Sequence, residues 1–232
     1  MRVLVVGATG ATGRLLVRDA IDAGHEVTVF VRDAARFAAG VLRPGDARAV
    51  GIVVGDATRP EDARRAAEGQ EGVLSAIGSG NRLFSRIASQ SARALVPAYE
   101  AAGVRRVVSL TAFGAGASLA QTDWIQRSYS LTGLLPLLLD KERADRMLRE
   151  SALEWTLVAA TALTNGPERG SIRFGERLPM RGYRWVSRAD TARFMVARLV
   201  DDRFVRRTVV IDRAGRASAP AGDAAARVGG RD

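Results

Sequence analysis

The 232-residue chain has no cysteine and a single histidine, His25. Without thiols, disulfides and cysteine nucleophiles are excluded, and one imidazole cannot assemble a histidine metal site, so no metal is expected. Lysine is nearly as scarce: Lys141 stands alone among 35 cationic side chains, the other 34 being arginine. Those arginines are dispersed, with no dense run and no interleaved aromatic patch. The net charge of +10 therefore does not carry a nucleic-acid reading. Long apolar runs are missing too. Leu131–Leu139 is short and broken by Gly133 and Pro136, which argues against a membrane span. Val3–Val6 is far too short for the apolar core of a secretory signal. These absences lead us to expect a cytoplasmic protein with a small-molecule substrate and neither a nucleic-acid nor a membrane partner.

What is present is an alternation. Val3–Val6, Val27–Val31, Ile52–Val54, Val73–Ile77, Val107–Leu110, Trp155–Ala159 and Thr208–Ile211 read as buried strands. Helical patterns lie between them near 12–23, 60–68, 84–102, 139–151 and 188–201. Apolar strands alternating with helices predict an α/β fold, a Rossmann-type doubly wound parallel sheet with helices on both faces. Thr58-Arg-Pro-Glu61 and Ser187-Arg-Ala-Asp190 resemble capping boxes that open helices. One domain is expected over 1–212. Residues 213–232, rich in Ala, Gly, Arg and Pro without periodicity, are expected to form a disordered tail.

The stretch Val6-Gly-Ala-Thr-Gly-Ala-Thr-Gly13 follows the first strand and opens the first helix. Glycines there permit a tight turn and let backbone N–H groups approach a pyrophosphate, with the helix N-terminus adding positive charge. Gly7, Thr9, Gly10, Ala11, Thr12 and Gly13 are therefore candidate cofactor-binding residues. The second strand ends Val31-Arg32-Asp33. Arg32 suits the 2′-phosphate of NADP(H) through a forked, charge-assisted pair. Asp33 could instead hold the ribose of NAD or cap the segment 34–39; NADP(H) is favoured over NAD(H). After the third strand, Asp56 and Ala57 are placed near the adenine, Asp56 being either a hydrogen-bond acceptor or a turn residue. Arg105-Arg106 and Arg206-Arg207 read as solvated pairs preceding strands.

GATGATG, TVFVRD, VVGDAT, VVSLTAFG, DKERADRMLRESALEWT, ALTNGP and WVSRADTARFM occur in this order over residues 2 to 212. On these motifs the chain resembles the atypical short-chain dehydrogenase/reductases, of the biliverdin-IXβ reductase/flavin reductase type and the NmrA-like NAD(P)H-binding type. The resemblance implies that Ala76–Ser79, including Ile77 and Gly78, pass the cofactor's phosphates and ribose. It puts Ser109 and Thr111 near the nicotinamide ribose and the reacting face. Ala160, Thr161 and Leu163 would meet the nicotinamide. Lys141 would bind the ribose hydroxyls, its alternative being a surface pair with Asp145; Thr111, Lys141 and Ser109 are thus the catalytic candidates.

The departure from that family lies four residues before Lys141. Standard short-chain dehydrogenases carry a tyrosine acid there; this chain has Leu137. An alkoxide would lack its usual proton donor. Of Tyr99, Tyr129 and Tyr183, Tyr129 is the best-placed substitute by sequence. The segment Phe113–Leu139, with Phe113, Trp124 and Tyr129, would wall a flat substrate. The expected function is NADPH-dependent hydride transfer to a flavin, quinone or tetrapyrrole-like acceptor. The alternatives are a non-enzymatic NAD(P)H sensor with a protein partner, and an isomerase or dehydratase using bound cofactor.

Overall fold

A computed structural model describes residues 1–41, 50–78, 84–124, 134–178, 180 and 182–214. The central sheet contains β1 (Arg2–Val6), β2 (Glu26–Val31), β3 (Val50–Val54), β4 (Gly72–Ser75), β5 (Arg106–Ala112), β6 (Glu154–Ala160), β8 (Ile172–Gly175) and β10 (Arg207–Arg213). Its order is β3-β2-β1-β4-β5-β6-β10-β8. Every pairing is parallel except β10 with β8. β7 (Ala162–Thr164) and β9 (Trp185–Ser187) form a separate parallel pair.

Apolar residues on successive positions of β1, β2, β5, β6 and β10 bury both faces of the sheet, while the edge strand β3 leaves Ile52 and Val54 exposed. Val3, Val5, Val108 and Val158 lie under α1 (Ala11–Asp22) and α6 (Arg188–Ala197). Leu4, Val6, Val107 and Leu157 lie under α3 (Pro60–Ala67), α4 (Ile87–Ala101) and α5 (Leu135–Glu150). α2 (Ala34–Val41) completes the β2–β3 crossover. The expected doubly wound Rossmann-type α/β fold is what forms. Strand order reverses between β1 and β4, so a crevice opens beyond their carboxyl ends. Among the described residues, no helix is long and apolar enough to cross a membrane.

Several local expectations need correction. Ser187 does cap α6, accepting from the Asp190 amide at 3.0 Å, but Thr58 does not cap α3. Its hydroxyl is turned to Asp56, at 2.8 Å, and Arg59 takes the cap position with Pro60 behind it. β4 stops at Ser75 rather than Ile77, because its partner β1 ends at Val6, the residue paired with Ser75; the Ile77 carbonyl beyond it accepts from Lys141. α5 starts at Leu135 rather than 139; Pro136 lies in its first turn, where a missing N–H costs nothing. Arg106 is not solvated but buried, donating to the carbonyls of Arg198 and Glu154 and to the Thr156 hydroxyl. Strands β7, β8 and β9, three or four residues long, carry too short a pattern to be read from sequence. Of the expected tail 213–232, Arg213 still belongs to β10 and the Ala214 amide donates to the Ser171 carbonyl at 3.3 Å, so the folded part runs past 212; residues 215–232 lie outside the described residues.

Candidate active site

A cleft of about 750 Å³ runs along the carboxyl ends of the parallel strands. At its centre the chain leaves β1 through Gly7 at φ +82, a conformation that favours glycine. A Cβ on Gly7 would stand 2.7 Å from the Ala76 carbonyl oxygen, and one on Gly13 would overlap the Gly7 carbonyl. Glycine at both positions lets α1 close against the turn and β4. Gly7, Thr9, Gly10, Ala11 and Thr12 line the cleft, whereas Gly13 lies beneath it as the packing position. No side chain caps α1. Its first amide donors thus remain available at the cleft for an anion.

On one side of this turn lie Arg32, Asp56 and Ala57. Asp33 caps α2 by accepting from the Arg36 amide at 2.9 Å. That leaves Arg32 as the side chain from this strand end that lines the cleft, where its charge helps hold the Asp56 carboxyl down. Asp56 is a turn residue that also lines the cleft. One of its oxygens accepts from the Thr58 amide at 2.9 Å and from the Thr58 hydroxyl, and these bonds hold its carboxyl below the usual range.

On the other side β4, β5, β6 and α5 converge. Lys141 projects from α5 and donates to the carbonyls of Ile77, at 2.6 Å, and Leu110, at 2.9 Å. Enclosure of its ammonium depresses its pKa, against the opposing pull of Asp145 and Asp140. The ammonium makes no ion pair with Asp145 within the described residues, so the expected alternative of a surface pair does not describe it. Thr111 lines the cleft, and its hydroxyl donates to Asp145 at 2.5 Å. Burial pushes the Asp145 carboxyl up to about 6, with Lys141 and Thr111 restraining the shift. Asp140, also buried on α5, is spent differently: it accepts from the Ala88 and Ser89 amides and the Ser89 hydroxyl, anchoring the start of α4.

Ile77, Gly78, Phe113, Ala160, Thr161 and Leu163 line this end, together with Leu137. Thr161 contacts the fully buried Asp212 at 3.3 Å. Asp212 also receives Arg173, at 2.9 Å, and Arg184, at 2.6 Å. This carboxylate ties the wall near β6 to Arg184, which lines the cleft.

Not every candidate is brought here. Ser109 shares a face of β5 with Thr111 but lies one pleat deeper, against a second cavity of about 50 Å³ between the sheet, α4 and α5. Trp124 is 80% exposed and does not line the cleft. Tyr129 and Ser79 lie outside the described residues. Tyr99 is buried and faces the second cavity; Tyr183 lines the main cleft. Of the tyrosines considered from sequence it is thus Tyr183, not the favoured Tyr129, that is seen at the cleft; Arg184, Arg188 and Thr122 as lining residues, and Asp145 as the partner of Thr111, were not anticipated. The i,i+4 spacing from Lys141 was the available signal for Asp145.

The cradle of Gly7 and Gly13, the uncapped helix start and the cations at both ends fit a nicotinamide dinucleotide. Comparison with known proteins agrees. A family described as NAD(P)H-binding matches residues 7–202. The photosystem II assembly factor Ycf39 of Synechocystis is 27% identical over 90% of this chain and 61% of its own length. The chain thus spans about three fifths of that relative. A Bacillus subtilis protein named as an uncharacterized sugar epimerase, YhfK, is 27% identical over 86% of this chain and 88% of its own. Among solved structures, ChuY, an anaerobilin reductase from Escherichia coli O157:H7, superposes with a TM-score of 0.76 at 19% identity, covering 94% of this chain and all of its own. A short-chain dehydrogenase/reductase of Veillonella parvula in complex with NADP gives a TM-score of 0.76 at 19% identity, covering 92% and 95%. These two likenesses are of fold. With its glycine-built turn and its family match over most of its length, the chain belongs to the NAD(P)H-binding family.

Proposed function

We propose that the protein is an NADPH-dependent reductase acting on a flat, conjugated acceptor such as a flavin, quinone or tetrapyrrole-like molecule. The observation that carries this reading is the pairing of Lys141, enclosed at the cleft, with Leu137 one helical turn before it. A cofactor-orienting cation is retained while the usual phenol is replaced by an apolar wall. An acceptor that delocalises incoming negative charge suits such a site better than an isolated carbonyl. When bound, the reduced nicotinamide supplies the hydride. The Gly7–Gly13 turn holds the pyrophosphate, Arg32 receives the 2′-phosphate, Lys141 orients the ribose, and Thr111 borders the reacting face. Phe113, Leu137 and Leu163 supply apolar surface for the acceptor.

A second reading, an NAD(P)H-binding sensor that acts through a protein partner, is favoured by the missing tyrosine and by likeness to an assembly factor. The experiment that separates them follows the absorbance of NADPH after FMN is added. Decay faster than a protein-free control is expected of the reductase. A control-level rate with FMN and with quinone acceptors, while NADPH is demonstrably bound, favours the sensor.

A further inference from the structure

Leu137 leaves open where the proton comes from when reduction produces an anion in the cleft. We propose that Asp145 is the proton reservoir of this site and that the Thr111 hydroxyl passes its proton into the cleft, an assignment that rests on the reductase reading above. Thr111 is the link because it lines the cleft and is bonded to Asp145 behind it. Its Oγ1 lies 2.5 Å from an Asp145 carboxylate oxygen. Asp145 itself is only 5% exposed and borders the second cavity rather than the cleft. The O···O separation serves either direction of donation.

The step balances as a relay. Protonated Asp145 gives its proton to Thr111 Oγ1 as the Thr111 hydroxyl gives its own to the anion left on the acceptor by the reduced nicotinamide cofactor. Asp145 ends as a carboxylate near the Lys141 ammonium and takes a proton back from water between turnovers. Its surroundings keep this carboxyl poised. α4 presents Tyr99, β5 presents Thr111 and Ser109, and β4 presents Ser75, with Lys141, Glu142 and Arg149 on its own helix. Burial raises its pKa into the range where both forms are populated near neutrality. Asp140, five residues earlier, cannot substitute, because three donors at the start of α4 already occupy it.

Two measurements test the relay. The first needs no turnover: carboxyl carbon-13 shifts of aspartate-labelled protein, with Asp145 assigned through Asp145→Asn. A midpoint near 6, moving upward in Thr111→Val as the hydroxyl that favours the carboxylate is lost, is expected. A carboxyl that titrates as an ordinary exposed aspartate, about 4, overturns the proposal. The second follows NADPH oxidation by an aromatic ortho-quinone across pH. The wild-type rate should fall as pH rises through about 6. Asp145→Asn and Thr111→Val should each lose about 100-fold and the pH limb, while Thr111→Ser stays within about threefold because it keeps the hydroxyl. An Asp145→Asn protein with wild-type rate and limb overturns the relay alone. Loss of the limb in Tyr183→Phe, with Asp145→Asn unaffected, overturns it in favour of the phenol. A wild type that oxidises NADPH with neither quinone nor FMN removes the reductase reading, and this step with it.

Discussion

The centre of the cleft and its Lys141 end are built by different means. The central glycine turn is a local, backbone-made structure: seven consecutive residues, Gly7 to Gly13, with glycine where a Cβ would meet a carbonyl. The Lys141 end is assembled from the residues that follow β4, from β5, α5, β6 and β7, and from residues that flank β9, separated by more than a hundred positions. The turn depends on what is not there, a side chain. The second depends on buried charges held by specific partners: Lys141 by two carbonyls, Asp145 by Thr111, and Asp212 by Thr161, Arg173 and Arg184. Altering the turn should therefore remove cofactor binding outright, whereas altering one side chain at the Lys141 end should weaken binding or chemistry in part.

The largest effect is expected at the turn. Gly13→Val forces a branched side chain into the Gly7 carbonyl, and NADPH binding measured by fluorescence should disappear. Retained binding would mean that α1 can move away, and the turn would no longer count as a rigid cradle. Lys141→Ala comes next. Loss of a charged donor should weaken NADPH by about 10- to 100-fold, and Lys141→Arg should not restore it, because a planar guanidinium does not fit between two carbonyls spaced for an ammonium. Wild-type affinity and turnover in Lys141→Ala would reduce the residue to a structural one.

Arg32→Ala should weaken NADPH about tenfold and NADH little, since only the 2′-phosphate needs the guanidinium. As Arg32 is exposed, the difference should shrink with added salt. Equal losses for the two cofactors, by titration calorimetry, would end the 2′-phosphate assignment. The smallest effect concerns stability. The folded Asp145 carboxyl is raised to about 6, above its unfolded value of about 3.9. The stability it contributes is fully present below the unfolded value and is lost as pH rises through about 6. Urea unfolding from pH 4 to 7 should show a loss of about 2 kcal/mol from this group, and Asp145→Asn should flatten that part of the profile.

The same contrast explains what could be read from the chain alone. Gly7, Gly10 and Gly13 were legible because a turn's steric demand falls on neighbouring residues, and the cap formed by Ser187 was legible for the same reason. The strands of the sheet were legible because burial on both faces leaves continuous apolar runs. Thr58 misled because two local partners compete for one hydroxyl, and Asp56 wins it. Arg106 misled because its solvation is replaced by carbonyls distant in sequence. Ser109 and Thr111 share one motif and one face of β5, yet only Thr111, nearer the carboxyl end of the strand, lines the cleft, and no local pattern records which one does. Asp212 and Arg184, nearly thirty residues apart, meet only once β9 and β10 are in place.

The measurement that most directly tests the reductase reading uses NADPH carrying deuterium on one or the other face of the nicotinamide C4. Each is oxidised by the protein with FMN, and the resulting NADP⁺ is weighed by mass spectrometry. A cleft that fixes the cofactor between Lys141 and the Gly7–Gly13 turn, with one open face toward the acceptor, predicts that one label is lost completely and the other retained completely. Loss divided between the two faces, as in oxidation free in solution, would contradict it.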